Sequence, residues 1–490
     1  MTFKTKSYIN IRLLLKLWGW LLLIESAFML IPTITSFIYK EDATISFLGV
    51  TIFTALSGLL LKYIKTKSND MGKREAILLT SSVWIVFTLF GMLPFLLVGT
   101  HDSITDAFFE TMSGFTTTGA SVLTSVESLP RGILIWRCII QWIGGLGIIL
   151  FTLAILPMLN NQGGIQLFNA EVTGITHDKL RPRISASAKG LWLVYIILTI
   201  ILIVLLSFSE MTLFDSICHG LSTMSTGGFS THDQSIGAWN SIYVKSVVCV
   251  FMFLGGINFS LLYKVSLGNF IDARKNDALK WYVLSILISY VLLVSSVCLN
   301  SSSTNLKDIF LDPLFQTVSI ISSTGLTEPD FLNWGSVSVI ILIIMMFMGA
   351  CAGSTSGGAK IDRIIVLVKY LRNEFYKIMR PNAVTTVRIN GRGTPTFIVQ
   401  KTLAFLFLYI LIIIIGGVLL SLCGLSLKDS FFCCLSAISN TGLGTESTGI
   451  ANSYELIPDF GKWILSFIML VGRLELYTIL LLFTSFFWKK

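Results

Sequence analysis

The sequence has few charged residues, few histidines and no cysteine motif. Charged residues make up 13% of the 490-residue chain, well below the roughly 25% of soluble domains. The chain has four histidines, and none of its eight cysteines forms a CxxC pair. Residue types that build metal, redox or acid–base sites are therefore sparse and scattered. This composition excludes a soluble globular domain and gives no support to an enzyme or a nucleic-acid-binding protein.

Long apolar runs dominate the chain instead, since 53% of its residues are hydrophobic. Ten runs contain enough apolar residues, about 20 each, to cross a hydrocarbon core. They lie at 14–39, 45–61, 76–98, 132–157, 190–209, 241–263, 281–299, 335–375, 402–424 and 463–488. The sequence therefore predicts an all-α polytopic membrane protein with about ten transmembrane helices.

The positive residues predict the orientation of these helices. Most of the 36 Lys and Arg residues lie near the termini or in alternate connections between the apolar runs, and such residues are retained on the cytoplasmic side. The sequence thus predicts a multi-pass protein of the plasma (inner) membrane with both termini in the cytoplasm, in contact with membrane lipid. The richest connection, from Lys360 to Lys401, fits either a docking surface for a cytosolic partner or a topology signal alone.

Four short segments between the apolar runs share one spacing. Each begins with Asp, a plausible helix N-cap, and each has Gly thirteen residues later. The pairs are Asp106 and Gly119, Asp215 and Gly228, Asp312 and Gly325, and Asp429 and Gly442. This recurrence indicates about a hundred residues used four times. We call these units repeats 1 to 4 and the four residues Gly119, Gly228, Gly325 and Gly442 the loop glycines.

The repeats divide the chain into five predicted parts. They are an N-terminal two-helix extension at 1–75, repeat 1 at 76–160, repeat 2 at 189–270, repeat 3 at 279–375 and repeat 4 at 397–490.

The residues around each loop glycine predict a short helix followed by an extended loop. A helix of this kind directs its partially negative C-terminal end toward the loop, which favours a cation there. Backbone carbonyls can replace the water of a dehydrated cation if the chain is extended, and Gly permits the unusual dihedrals required. A single Ser/Thr-Gly string is usually an ordinary turn. Four in register on one side of the membrane favour a pore.

These motifs resemble the Trk/Ktr/HKT superfamily of cation transporters, in particular its TrkH-type members. The resemblance covers nearly the whole chain. It is carried by FTTTGAS at 115–121, STGGFS at 225–230, STGL at 323–326, NTGLG at 440–444, QWIGGLGI at 141–148 and GACAGSTSGGAK at 349–360. It implies four helix–loop–helix units around one pore, a homodimer, and a cytosolic nucleotide-binding regulatory ring (TrkA-like).

The resemblance also implies the site residues and the ion. The implied K⁺ filter consists of Thr116, Thr117, Thr118, Gly119, Ser225, Thr226, Gly227, Gly228, Ser323, Thr324, Gly325, Leu326, Asn440, Thr441, Gly442 and Leu443. In the superfamily, Gly at the first loop position accompanies K⁺ and Ser there accompanies Na⁺ permeation in some plant members. Gly119 therefore favours K⁺ as the transported, filter-bound ion. Leu326 and Leu443 predict moderate rather than strict selectivity.

A candidate gate lies in the third repeat. The run 349–359 has no large side chain, although it lies midway along an apolar run of about forty residues, and as continuous helix it would cost about 1 kcal/mol per Gly. An unwound segment that borders a cavity is the better interpretation. The predicted gate residues are Gly349, Gly353, Ser354, Thr355, Gly357, Gly358 and Arg473.

Some of these interpretations have alternatives. Arg473, predicted to lie midway along the last crossing, is either an electrostatic barrier near the path or half of a buried ion pair. Small-residue sites at Gly144, Gly255 and Gly472 fit close helix packing as well as a pore lining. The sequence is consistent with a gated channel and with a proton- or sodium-coupled potassium symporter. A third alternative is a member of the superfamily that also conducts Na⁺.

Overall fold

The fold is described from a computed structural model that covers residues 9–66, 71–145, 147, 184–300, 307–327, 334–444 and 453–489. The second half of the predicted crossing 132–157 and part of the proposed repeat 1 lie outside the described residues. The helices are numbered in chain order. They are α1 (Ile11–Ile38), α2 (Ala43–Lys62), α3 (Lys73–Gly91), α4 (Leu93–Val98), α5 (Ile104–Phe115), α6 (Arg131–Gly145), α7 (Ile184–Ser207), α8 (Leu213–Met224), α9 (Ile242–Gly255), α10 (Phe259–Ser266), α11 (Phe270–Lys275), α12 (Asp277–Asn300), α13 (Asp312–Ile321), α14 (Ser336–Met348), α15 (Ile361–Met379), α16 (Thr396–Leu422), α17 (Leu427–Ile438), α18 (Asp459–Arg473), α19 (Tyr477–Leu480) and α20 (Ser485–Trp488).

The described part of the chain is an all-α membrane protein, as predicted. Six helical stretches are long and apolar enough to cross a membrane, and two bent pairs bring the number to eight. The six stretches are Ile11–Ile38, Ala43–Lys62, Lys73–Val98, Lys189–Ser207, Asp277–Asn300 and Thr396–Leu422. Their outward faces carry many exposed Ile, Leu, Val and Phe side chains, which is the surface that lipid requires.

The N-terminal helices α1 and α2 form a closely packed pair. Gly19 and Gly58 face one another, and a Cβ on either residue would collide with the backbone of the other helix. Small residues allow this approach, which is a usual way for helices to associate without a hydrophobic driving force. The pair packs against α3 and α6 and so flanks repeat 1.

Two of the predicted crossings are broken rather than continuous. The run 241–263 bends by 105° between α9 and α10, and the run 463–488 bends by 111° after α18. In the first break, Asn258 caps α10 by accepting hydrogen bonds from the N–H groups of Ser260 and Leu261. Hydropathy records the apolar length of each run and carries no information about a turn inside it.

The predicted break in the third repeat is confirmed. Helix α14 ends at Met348 and α15 begins at Ile361, and we call residues 349–360 the small-residue loop. Its two ends meet, since the N–H of Ile361 donates to the carbonyl of Ala350 at 3.0 Å and the N–H of Ala359 donates to that of Phe347 at 3.1 Å. The end of α14 and the start of α15 therefore lie side by side, and the loop projects from between them.

A small hairpin follows α15. Strands β1 (Arg388–Ile389) and β2 (Arg392–Gly393) pair antiparallel. The Lys369 ammonium bonds the Asp277 carboxylate and the Arg388 carbonyl, each at 2.8 Å. These contacts fix the basic connection against the start of α12.

Candidate functional site

Each of the four short helices α5, α8, α13 and α17 precedes a loop glycine, and three of them begin in the same way. Ser103, Thr212 and Ser426 are the N-caps, and each side chain accepts a backbone hydrogen bond. The prediction that Asp is the N-cap was wrong. In these three helices Asp is the third helical residue, where its negative charge interacts favourably with the partially positive N-terminal end of the helix. The N-cap position is occupied by the shorter Ser and Thr side chains.

The four short helices end with one hydrogen-bond pattern. The residue before each loop glycine donates its N–H to the carbonyl five residues earlier, at 2.8–3.0 Å. The residue before that one is left-handed, with φ between 50° and 54°, although none of the four is glycine. These residues are Thr117, Thr226, Ser323 and Asn440. A left-handed residue costs about 1 kcal/mol outside glycine, so the surrounding structure imposes this conformation four times.

The loop glycines form a closed ring. All four have φ between 75° and 86°. Each lies against the carbonyl oxygen that directly precedes the glycine of the next repeat, so that an added Cβ would overlap this oxygen. The pairs are Gly119 with Gly227, Gly228 with Thr324, Gly325 with Thr441, and Gly442 with Thr118. Because the fourth pair returns to repeat 1, the loops enclose a single axis, with a carbonyl oxygen from each repeat beside the loop glycine of the preceding repeat.

Small hydroxyl side chains brace three of the four loops from within. The side chains of Thr116 and Thr118 are hydrogen-bonded at 2.8 Å. The corresponding pairs in repeats 3 and 4 are Ser322 with Thr324 at 2.7 Å and Ser439 with Thr441 at 2.8 Å. Repeat 2 has Gly227 at this position and lacks the pair.

Repeats 4 and 1 are neighbours in the ring but are not consecutive in the chain. Side-chain and backbone contacts join them instead. The Lys462 ammonium pairs with the Asp106 carboxylate at 2.6 Å. The Asn440 side-chain amide donates to the Thr118 hydroxyl at 3.0 Å, and the N–H of Tyr454 donates to the Ser121 carbonyl at 2.6 Å. These bonds hold the ring shut where the chain itself does not.

Sequence reasoning missed a buried ion pair beside the first loop. Glu110 on α5 and Arg137 on α6 are 0% and 2% exposed and lie 2.9 Å apart. Glu110 also accepts hydrogen bonds from the Ser121 hydroxyl and the Val122 N–H, at 2.9 and 3.0 Å. The pair thus fixes the chain as it leaves Gly119. A signal was present, because opposite charges within two apolar segments are expected to pair.

We expect Arg137→Met to lower the free energy of unfolding by about 3 kcal/mol, because it leaves the Glu110 carboxylate buried without its cation. Thermal unfolding of the purified protein in detergent measures this. The matched control is Lys377→Met, which removes the cation of an exposed pair with Glu374 and should change little. Equal unfolding temperatures for both variants would show that the buried pair does not stabilise the first loop.

The small-residue loop lies against three of the repeats. The Thr355 hydroxyl donates to the Gly255 carbonyl of repeat 2 at 3.1 Å. The N–H of Gly357 donates to the Ser323 hydroxyl of repeat 3 at 2.5 Å, and a Cβ on Gly357 would overlap the Ser439 carbonyl of repeat 4. The structure therefore brings the predicted gate residues together with the chain segments that lead into the loop glycines.

Arg473 joins the small-residue loop to repeat 1. Its guanidinium donates to the carbonyls of Thr355 at 2.7 Å and Gly145 at 2.5 Å, and also to that of Gly144. Helix α18 ends at Arg473, so this residue lies at the bend within the last apolar run. Its neighbour Glu475 pairs with Arg363. The positive charge thus meets the partially negative C-terminal end of α6.

The small residues that follow the loops pack closely, as one interpretation predicted. A Cβ on Gly144 would overlap the Phe115 carbonyl at the end of α5, and one on Gly472 would overlap the Ile438 carbonyl at the end of α17. On the other side of the ring, a cavity is lined by residues that include Gly119, Gly228, Asp233 and Thr327. The ring thus separates a cavity from the small-residue loop.

The chain was compared with known proteins. Residues 44–490 match the model of the family described as TrkH, cation transport protein. The chain belongs to this family.

Relatives and a solved structure agree along nearly the whole length. The chain is 35% identical over 487 residues to the Trk system potassium uptake protein TrkH of Escherichia coli K12, covering 98% of this chain and 100% of the relative. It is 33% identical over 485 residues to TrkG of the same organism, covering 98% and 99%. The crystal structure of the potassium transporter TrkH from Vibrio parahaemolyticus superposes with a TM-score of 0.88 at 31% identity, covering 98% of this chain and 100% of that one.

Membership of the TrkH family confirms the resemblance carried by the four loops and the all-α membrane fold. It places the chain among cation transport proteins.

Proposed function

We propose that this protein takes up K⁺ across the plasma membrane through the ring of loop glycines. The observation that supports this most directly is the closed cycle in which each loop glycine lies against a carbonyl oxygen of the next repeat. Carbonyl oxygens arranged around an axis replace the hydration shell of a cation. Relatives across the whole chain are named as potassium uptake proteins, which favours K⁺.

The filter residues are those that the sequence predicted in the four loops, and Gly119 is the one that favours K⁺ over Na⁺. Four short helices end at the ring with their partially negative ends nearest the loops, which lowers the energy of a cation there. Neither a side-chain carboxylate nor a metal cofactor is needed for this chemistry. K⁺ is the transported ion and the filter-bound ligand.

In this proposal the small-residue loop gates the path below the ring. Its contacts with repeats 2, 3 and 4 support a position in which it hinders an ion that leaves the filter. Arg473 holds the loop through Thr355 and adds a positive charge beside the path. The flux is then channel-like, and opening requires the loop to leave these contacts.

We further propose a cytosolic regulatory partner and a homodimer. The basic connection from Lys360 to Lys401 follows the small-residue loop directly, so a nucleotide-binding ring (TrkA-like) docked there can move the loop through α15. The charge distribution supports cytoplasmic termini.

Uptake into liposomes by the purified chain tests the function. Radiolabelled Rb⁺, which substitutes for K⁺, should enter faster than radiolabelled Na⁺, with or without an imposed pH gradient. Entry of both ions at one rate would contradict a K⁺ filter. Uptake that requires the pH gradient would instead support the alternative, a proton-coupled symporter.

Replacing Arg473 tests its role in the gate. We expect Arg473→Ala to raise cation flux about ten-fold, because it removes the charge-assisted hydrogen bond from Arg473 to the Thr355 carbonyl of the loop. Losing one such bond lowers the free energy needed to displace the loop by roughly 1.5 kcal/mol. Arg473→Lys keeps the charge but cannot span the three carbonyls, so high flux in this variant as well would assign the effect to the lost bridge rather than the charge. Lower flux per folded molecule in Arg473→Ala would contradict both roles.

A further inference from the structure

The second loop differs from the other three in lacking a side chain before its loop glycine. Repeats 1, 3 and 4 have Thr118, Thr324 and Thr441 at this position, and repeat 2 has Gly227. The space is nevertheless filled. A Cβ on Gly227 would collide with the side chain of Gln141, which comes from α6 of repeat 1.

Gln141 is fully buried and makes three hydrogen bonds to the second loop and its helix. Its amide nitrogen donates to the Gly227 carbonyl at 2.7 Å. Its amide oxygen accepts from the Ser222 hydroxyl at 2.9 Å and from the Phe229 N–H at 3.2 Å. One side chain is therefore hydrogen-bonded to the residues on both sides of Gly228.

The Gly227 carbonyl is also one of the four ring oxygens, because it is the oxygen that lies against Gly119. Within the described residues, the other three ring oxygens, those of Thr118, Thr324 and Thr441, accept no hydrogen bond. The ring thus contains one carbonyl that already accepts an amide hydrogen and three that do not. A carbonyl oxygen engaged in this way has one lone pair occupied and the positive hydrogen of the donor beside it, so it attracts a cation less strongly and has less freedom to move.

We propose that Gln141 is a positioning residue that sets the selectivity of the ring by restraining the Gly227 carbonyl. This inference rests on the proposed K⁺ filter. Without the amide donor, the Gly227 oxygen offers a stronger field, which favours the smaller Na⁺, and the loop is held less firmly. Both changes lower K⁺ over Na⁺ discrimination.

Gln141→Met tests the proposal, because it keeps the length of the side chain and removes all three hydrogen bonds. We expect the K⁺/Na⁺ permeability ratio, measured from reversal potentials, to fall about five-fold, the change that one hydrogen bond supplies. Should this variant be unstable, Gln141→Leu also removes the amide donor to the Gly227 carbonyl with an apolar side chain that carries no charge, and the same fall is expected. An unchanged ratio in either folded variant overturns the proposal.

A double variant separates the hydrogen bond from simple filling of space. Gly227→Thr alone should fail to fold, because its side chain overlaps Gln141. Gln141→Ala with Gly227→Thr should fold, since Thr then occupies the space as in the other repeats, but its ratio should stay low because the donor is absent. A wild-type ratio in the double variant would show that Gln141 only fills space. A wild-type protein that does not discriminate K⁺ from Na⁺ would overturn the filter itself, and this inference with it.

Discussion

Gly119→Ser should lower the K⁺/Na⁺ permeability ratio ten-fold or more, the larger of the two effects expected here. Gly119 has φ of 82°, where an L-residue is strained by about 1–2 kcal/mol. Its new Cβ would also overlap the Gly227 carbonyl, so this oxygen or the first loop must shift. The ring is therefore distorted while the surrounding helices stay in place. Reversal potentials in a K⁺/Na⁺ gradient measure the ratio.

The matched control for this variant is Gly99→Ser. Gly99 is also left-handed, with φ of 76°, but nothing lies within 4 Å of an added Cβ. This control imposes the same backbone strain without touching a ring oxygen. We expect it to keep the wild-type ratio. Equal ratios for Gly119→Ser and Gly99→Ser, in protein of equal stability, would remove the first loop from the filter.

Shortening the small-residue loop by deleting residues 352–358 should raise basal K⁺ flux by an order of magnitude and weaken control by a cytosolic partner. The deletion removes Thr355 and Gly357, through which the loop contacts the repeats. It leaves intact the hydrogen bonds between Ile361 and Ala350 and between Ala359 and Phe347 that bring the loop ends together. Helices α14 and α15 can therefore stay where they are.

Single-channel recording decides between a gate and a packing element. A gate predicts a higher open probability in protein that remains folded. A packing element predicts a lower unfolding temperature and an unchanged open probability. Stable protein with the wild-type open probability would rule the gate out.

The sequence predicted the parts of the site that depend on local spacing. The thirteen-residue interval from Asp to Gly located all four loops, because a short helix and its C-terminal turn need a fixed number of residues. The break after Met348 could also be read locally, since a run of small residues lacks the side chains that stabilise a membrane helix.

Contacts between distant segments could not be read in the same way. The bends after Gly255 and Arg473 lie within runs whose mean hydropathy is that of a single crossing, although the second run has Arg473 and Glu475 where it bends. Gln141 is 86 residues away from the carbonyl that it bonds, and no local rule connects the two. One indirect sign existed, because Gly227 is the single exception among four otherwise polar positions, and a missing side chain in a packed site implies another that fills the space.

In the proposed mechanism, one cation lies on the axis enclosed by the four loops. Crystals of the protein grown in Rb⁺ test it most directly, because the anomalous scattering of Rb⁺ locates the ion independently of the protein density. We expect an anomalous peak on this axis, among the carbonyl oxygens of Thr118, Gly227, Thr324 and Thr441, that disappears in Gly119→Ser. A wild-type crystal with Rb⁺ peaks elsewhere and none within the ring would contradict it.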